Sequence, residues 1–395
     1  MENFRFHVTT DIRFGKNRLG ELPEVLNQFG KRVLLVYGGG SIKRNGLYAQ
    51  IMAQLESNDN QVFEVNGVEP NPRIETVERG AALCRKENID VILAVGGGSV
   101  IDCSKAIAGG TFASGDLWEM VTNRAYAGPA LPLVTVLTLA ATGSEMNRGA
   151  VISNLKTKQK LGFGGQNFLP KASFLDPTNT YTVNAYQTAA GSADIFSHLM
   201  ENYFDNTPGT DVEDGIAEGL MRAVIKNVPV ALATPDDYDA RANLMWASSL
   251  ALNGLTGASK AGAWSCHAME HELSAFYDIT HGVGLAILTP RWMEHILNER
   301  TVPKLARYAK EVWGIRETVP ELAARMGIQK LSDYFSECGI PMTLPEVGIT
   351  DETNFQKMAE QAVASSKIST LAFEPLAVED VVSIYQACMT PSKYV

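Results

Sequence analysis

Four of the six histidines and one aspartate fall in two short stretches of the chain, at spacings that could hold a metal ion. Asp194 and His198 lie four apart in a segment where Ala193, Phe196, Met200 and Tyr203 recur at helical intervals, so both project from one edge of a buried face. His267 and His271 repeat the same interval, and His281 follows across Tyr277-Asp278-Ile279-Thr280; His7 and His295 stand outside the pattern. One carboxylate with several imidazoles suits divalent zinc, iron, nickel or manganese, and the donor types do not choose among them. A single histidine is more often a satisfied core residue than a ligand. Clustering reverses that weighting, because several imidazoles and a carboxylate buried in apolar helices without an ion would each need separate partners. Such an ion, with one position open, polarises a carbonyl as a Lewis acid.

A second chemistry lies in glycine. The element GGGS occurs at 38–41 and again at 96–99, each time after an apolar run and before a helical stretch. Glycine allows close backbone approach, and a helix start offers free N–H groups to an anion such as a pyrophosphate. Neither loop is a GxGxxG, and Ser99 with Asp102 reads nearly as well as an S-x-x-D capping box, although three consecutive glycines exceed what a cap needs. No acidic residue follows the first strand to take a ribose 2′-hydroxyl; Tyr37 and Lys43 stand there instead, which favours NADP over NAD, although a solvated Lys43 explains the residue as well. Thr138-Leu139-Ala140-Ala141-Thr142-Gly143-Ser144-Glu145 closes the next apolar run with hydroxyls at the same sheet edge.

The elements that must carry these groups differ along the chain. From Phe4 to Asp176, β-rich runs alternate with helical stretches, as a parallel sheet with crossover helices requires. The alternation of Phe4, Phe6 and Val8 opens it, and the runs at 33–36, 91–95 and 133–137 read as strands buried on both faces. Past Tyr181, segments 211–232, 238–257 and 317–339 are rich in Ala, Leu, Met and Glu and read as helices. Asp176-Pro177 and the polar run after it mark a boundary near 177–188, and the cleft between two such halves is the default ligand site. With 34 Lys+Arg against 44 Asp+Glu, the net charge of -10 disfavours nucleic acid and anionic membranes. Five scattered cysteines without CxxC spacing argue against disulfides and thiolate zinc, and the absence of an apolar leader points to a cytoplasmic protein.

Together GGGSIK, GGGSVID, TGSE, the DxxxH at 194–198 and the HxxxH followed by His281 resemble the iron-containing alcohol dehydrogenase family, over essentially the whole chain. Gly67-Val68-Glu69-Pro70-Asn71-Pro72, Leu175-Asp176-Pro177 and Arg241-Ala242-Asn243-Leu244-Met245-Trp246-Ala247 are similar to its NADP-dependent butanol dehydrogenase and broad-range aldehyde reductase branch. The resemblance implies an α/β dinucleotide-binding domain over 1–180 and an all-α metal-binding and substrate domain over 181–395, the dehydroquinate synthase-like fold. It implies metal ligation by Asp194, His198, His267 and His281, with His271 near substrate and nicotinamide. It places Gly39, Gly40, Ser41, Gly97, Gly98, Ser99, Asp102, Thr138, Thr142, Asn147 and Lys160 along the cofactor. The expected reaction is hydride transfer between NADP(H), with NAD possible, and a small alcohol or aldehyde, in a homodimer or larger homo-oligomer. A lyase or cyclase of the dehydroquinate synthase type, or a non-catalytic dinucleotide sensor, would share much of this machinery.

Overall fold

The computed structural model describes residues 1–391. The chain divides into two compact units, one formed by 7–183 with 235–249 and the other by 1–6, 184–234 and 250–395.

The first unit is built on a six-stranded sheet in the order β1-β8-β5-β4-β2-β3, all neighbours parallel. Its strands are β1 (Asp11–Phe14), β2 (Arg32–Tyr37), β3 (Gln61–Val65), β4 (Val91–Gly96), β5 (Leu133–Leu137) and β8 (Ala172–Leu175). Alternate residues of β2 and β4 enter opposite cores: Leu34, Val36, Ile92 and Ala94 join one apolar cluster, while Val33, Leu35, Val91, Leu93 and Val95 join another. Helices cover both faces, so these strands read as unbroken apolar runs. Chain order reverses between β2 and β4, since β3 lies on one side of β2 and β4 on the other. Ligands of open parallel sheets bind at the carboxyl ends of strands at such a switch point. Both GGGS elements emerge there.

A hairpin of β6 (Gly149–Asn154) and β7 (Gln159–Gly164), which the sequence pattern did not reveal, is paired antiparallel apart from the main sheet. The sheet also begins later than expected. Phe4, Phe6 and Val8 form no strand; pairing with β8 starts at Asp11, and Phe4 and Phe6 are exposed. Alternation creates a strand only where a neighbour offers backbone partners, and the four residues of β8 offer them to 11–14 alone. The helix Tyr238–Leu252 starts in this unit despite its place in the sequence. Met245 joins one of its cores, Trp246 meets Phe14 edge-to-face at 6.1 Å, and the Ser249 hydroxyl donates to the buried Glu145 carboxylate.

The second unit is helical, with helices Ala185–Tyr203, Asp211–Ala233, Ser265–Tyr277, His281–His295, Val302–Trp313, Pro320–Glu337, Phe355–Ser365 and Val378–Ala387. Four of the five cysteines are buried and all five are free. No helix among the described residues is long and apolar enough to cross a membrane.

Candidate metal centre and cofactor loops

Three helices of the second unit bring the Asp/His set together. Asn184 caps the first, its side chain accepting the Gln187 N–H at 2.8 Å. From Thr188 to Tyr203 every residue of that helix is buried, Asp194 and His198 included. His281 opens the helix His281–His295, which packs on the first through Gly282: a Cβ there would meet the Ala190 carbonyl at 1.9 Å. Only glycine permits that approach, and it sets His281 beside Asp194.

The Asp194 carboxylate is the focus. Its Oδ1 lies 3.4 Å from His198 Nε2, 3.6 Å from His281 Nε2 and 3.8 Å from His267 Nε2. Donors about 2.0–2.2 Å from a tetrahedral ion stand roughly 3.3–3.6 Å apart, so the spacing fits a divalent metal. Asp194, His267 and His281 form the mutually close group, each with an atom within 4.8 Å of the others. His198 joins through Asp194 and stacks its ring on His267 at 4.8 Å. Asp194 Oδ1 and His267 Nε2 are buried without any hydrogen-bond partner, the condition an ion would relieve.

Two carboxylates not singled out from the sequence stand behind the imidazoles. Glu201 Oε1 lies 3.2 Å from His267 Nδ1 and also accepts the His267 backbone N–H at 2.8 Å, while His281 Nδ1 contacts Glu270. Each leaves Nε2 of its histidine as the donor facing Asp194 and fixes the ring. Gly284 makes room for Glu270, whose Cγ a Cβ at that position would meet at 2.8 Å. Both glutamates follow a ligand candidate by three residues on the same helix face, which is the signal that could have revealed them. His271 borders the cluster, its ring 6.4 Å from that of His267 and 5.8 Å from that of His281, within a second close group formed with Glu270 and His281.

Burial opposes charge throughout. It would raise the Asp194 carboxyl, but His198, His267 and His281 hold it well below the usual carboxylate range. Burial pulls His198 down to about 3 against the attraction of Asp194. For His267 the same penalty is outweighed by Asp194 and Glu201, which push it up to about 9. The 3.8 Å contact with Asp194 is too long for a hydrogen bond and acts through charge. A divalent ion would take the place of that proton.

In the first unit, Gly39, Gly40 and Ser41 follow β2, and Gly40 caps the short helix Ser41–Arg44 at a φ of 91°. Nothing lies within 4 Å of a Cβ built on Gly39. Gly97, Gly98 and Ser99 follow β4 and open the helix Gly98–Gly110, with Gly98 so close to Thr142 that a Cβ would meet its Oγ1 at 2.2 Å. Bare backbone at two helix starts on the switch point suits a dinucleotide pyrophosphate. The Ser99/Asp102 capping box, the alternative to a cofactor role for these residues, does not form. Gly97 is the N-cap residue, the Ser99 hydroxyl donates to the Pro70 carbonyl, and Asp102 accepts the Ser144 hydroxyl at 2.5 Å and the Val151 N–H at 2.8 Å. The helix begins two residues earlier than a Ser99 cap requires, and Asp102 is drawn to the following loop and hairpin.

Asn147 is likewise used to build the loop: its amide donates to the Gly143 carbonyl at 2.9 Å and its Oδ1 accepts from the Gly149 N–H at 2.9 Å. Buried Lys105 ties the set together, donating to Ser144, Asn147 and the Gly149 carbonyl at 2.7–3.0 Å. Thr138 follows β5, with its N–H on the Gly96 carbonyl at 3.1 Å, and Lys160 lies buried on β7. Lys43 is exposed over the rings of Tyr37 and Tyr48, at 5.0 and 4.6 Å, and both tyrosines donate to Glu64.

An iron-containing alcohol dehydrogenase model matches residues 9–177, and the model for the C-terminal region of the Fe-containing alcohol dehydrogenase family matches 188–389. This chain belongs to the iron-containing alcohol dehydrogenase family. Within that family, NADH-dependent butanol dehydrogenase A of Clostridium acetobutylicum is 51% identical over 98% of this chain and 99% of the relative. The NADPH-dependent aldehyde reductase YqhD of Escherichia coli is 39% identical over 88% of this chain and 90% of the relative. The crystal structure of NADH-dependent butanol dehydrogenase A from Thermotoga maritima superposes with a TM-score of 0.93 at 37% identity, covering 99% of each chain. As an iron-containing alcohol dehydrogenase, the protein is an alcohol and aldehyde oxidoreductase that depends on a nicotinamide nucleotide and a metal ion.

Proposed function

We propose that this enzyme interconverts small apolar aldehydes and primary alcohols, such as butyraldehyde and butanol, using NADP(H) and one iron or zinc ion held by Asp194, His198, His267 and His281. Three imidazole nitrogens within 3.4–3.8 Å of one carboxylate oxygen, itself buried without a hydrogen bond, carry the reading. The ion supplies Lewis acidity toward the substrate oxygen, and the nicotinamide supplies or takes up the hydride. Glu201 and Glu270 hold the imidazoles of His267 and His281 in the tautomer that keeps Nε2 unprotonated. His271, at the border of the cluster, passes a proton between the substrate oxygen and water through an imidazole nitrogen.

In the first unit, Gly39, Gly40 and Ser41 take the adenosine end of the nucleotide. Gly97, Gly98 and Ser99 take its pyrophosphate, and Asp102, Thr138, Thr142, Asn147 and Lys160 shape the remaining wall. Lys43, exposed beside the first loop, meets a 2′-phosphate. NAD(H) is the second reading, favoured by the Glu64 carboxylate that Tyr37 and Tyr48 hold near the same loop. The proposal extends to a cytoplasmic homodimer, which cell fractionation and light scattering on a sizing column test.

A panel of aldehydes supplied with NADPH or NADH to protein reconstituted with iron or with zinc tests the whole reading. NADPH oxidation that depends on both aldehyde and metal is expected. Turnover in metal-free buffer rejects the metal role, and a strong preference for NADH rejects the NADP assignment.

A further inference from the structure

Trp264 stands at the N-terminus of the helix Ser265–Tyr277 with φ 58° and ψ 55°, the left-handed region. A bulky side chain avoids that region, and departures of this kind gather where surrounding structure needs a side chain in one place. What the conformation achieves here is visible in the contacts. The indole lies edge-on to two of the candidate metal-binding imidazoles, its ring 5.0 Å from that of His267 and 5.9 Å from that of His198. Gly262 makes the placement possible: it too is left-handed, at φ 59°, and a Cβ on it would meet Trp264 Nε1 at 2.9 Å. Trp264 is neither buried nor fully exposed, so part of its surface remains open beside the cluster.

We propose that Trp264 is a specificity-determining residue, an apolar wall beside the metal that receives the alkyl chain of the substrate and keeps water from the imidazoles. The assignment rests on the alcohol and aldehyde reading above. An alkyl chain lying on an indole leaves water by roughly one methylene per added carbon, which corresponds to about a fourfold gain in kcat/KM per carbon. Polar substituents gain nothing from such a wall.

The test measures kcat/KM for ethanal, propanal and butanal in the metal-loaded wild type and in Trp264→Phe, Trp264→Ala and Trp264→Gly. The wild-type slope of about fourfold per carbon is expected to fall toward onefold in Trp264→Ala and to be largely kept in Trp264→Phe. Trp264→Gly loses the slope as well, but it also releases the left-handed backbone, so it melts at a higher temperature than Trp264→Ala. A structural residue without a substrate contact would not separate the slope from the melting temperature in this way. A second readout needs no turnover: titrating Co²⁺ into metal-stripped protein quenches an indole emission component that Trp264→Phe lacks. An unchanged chain-length slope in Trp264→Ala, or in Trp264→Gly should the alanine variant fail to fold, overturns the proposal, as does equal quenching in Trp264→Phe. Absence of any aldehyde-dependent turnover in the metal-loaded wild type would instead sink the parent reading.

Discussion

The candidate metal cluster and the candidate cofactor loops rely on opposite parts of the polypeptide. In the cluster, side chains are the proposed ligands, and three helices set the imidazole nitrogens at 3.4–3.8 Å from one carboxylate oxygen. In the loops, the proposed binding surface is the backbone. The polar side chains around it are occupied with keeping its shape: Asp102 on Ser144 and Val151, Asn147 on Gly143 and Gly149, Lys105 on Ser144, Asn147 and Gly149. A site made of side chains is broken by removing one; a site made of backbone is broken by adding an atom.

The sharpest contrast comes from opposite substitutions. His267→Ala removes a donor and the partner of Glu201, so metal retention and turnover are expected to fall together, turnover on the order of a thousandfold, with nucleotide affinity little changed. Metal analysis beside nucleotide titration separates the two. Gly98→Ala adds one carbon where Thr142 Oγ1 stands 2.2 Å away. It should raise the nucleotide KM by roughly ten- to a hundredfold while metal content stays at the wild-type level.

Glu270→Gln probes the support of the cluster rather than the cluster itself. Chelator competition is expected to show metal affinity lower by about ten- to a hundredfold, because the His281 ring loses its charged partner. Equal affinity would mean that the carboxylate is only packing. The smallest effect belongs to Lys43→Ala, an exposed cation at the rim of the first loop: the NADPH-to-NADH ratio of kcat/KM should drop by roughly fivefold or less. A ratio that does not move leaves Glu64 and the two tyrosines as the recognition surface.

The same division explains what was legible in the sequence. Helical spacing betrayed Asp194 with His198 and His267 with His271, because 3.6-residue periodicity maps directly onto one helix face. The carboxylates behind them were less visible, since Glu201 and Glu270 look like any helical glutamate until a histidine ring is seen across from each. Glycine repeats after apolar runs drew attention to the loops, while the neighbouring side chains could be read two ways. Ser99 and Asp102 match a capping pattern while the cap is Gly97, because local spacing does not reveal that Ser144 and Val151 compete for Asp102. Phe4, Phe6 and Val8 misled for a similar reason: alternation was present and a pairing partner was not. Trp264 carried no sequence signal, for neither its left-handed backbone nor its place beside the imidazoles shows in local spacing.

X-ray absorption on the protein loaded with iron or zinc addresses the ligand set most directly. One ion per chain in a shell of nitrogen and oxygen scatterers at about 2.0–2.2 Å, with imidazole multiple scattering and no sulfur, is the expected result, with the shell lost in His267→Ala. A wild-type chain that retains no ion, or a first shell unaltered by that substitution, would contradict it.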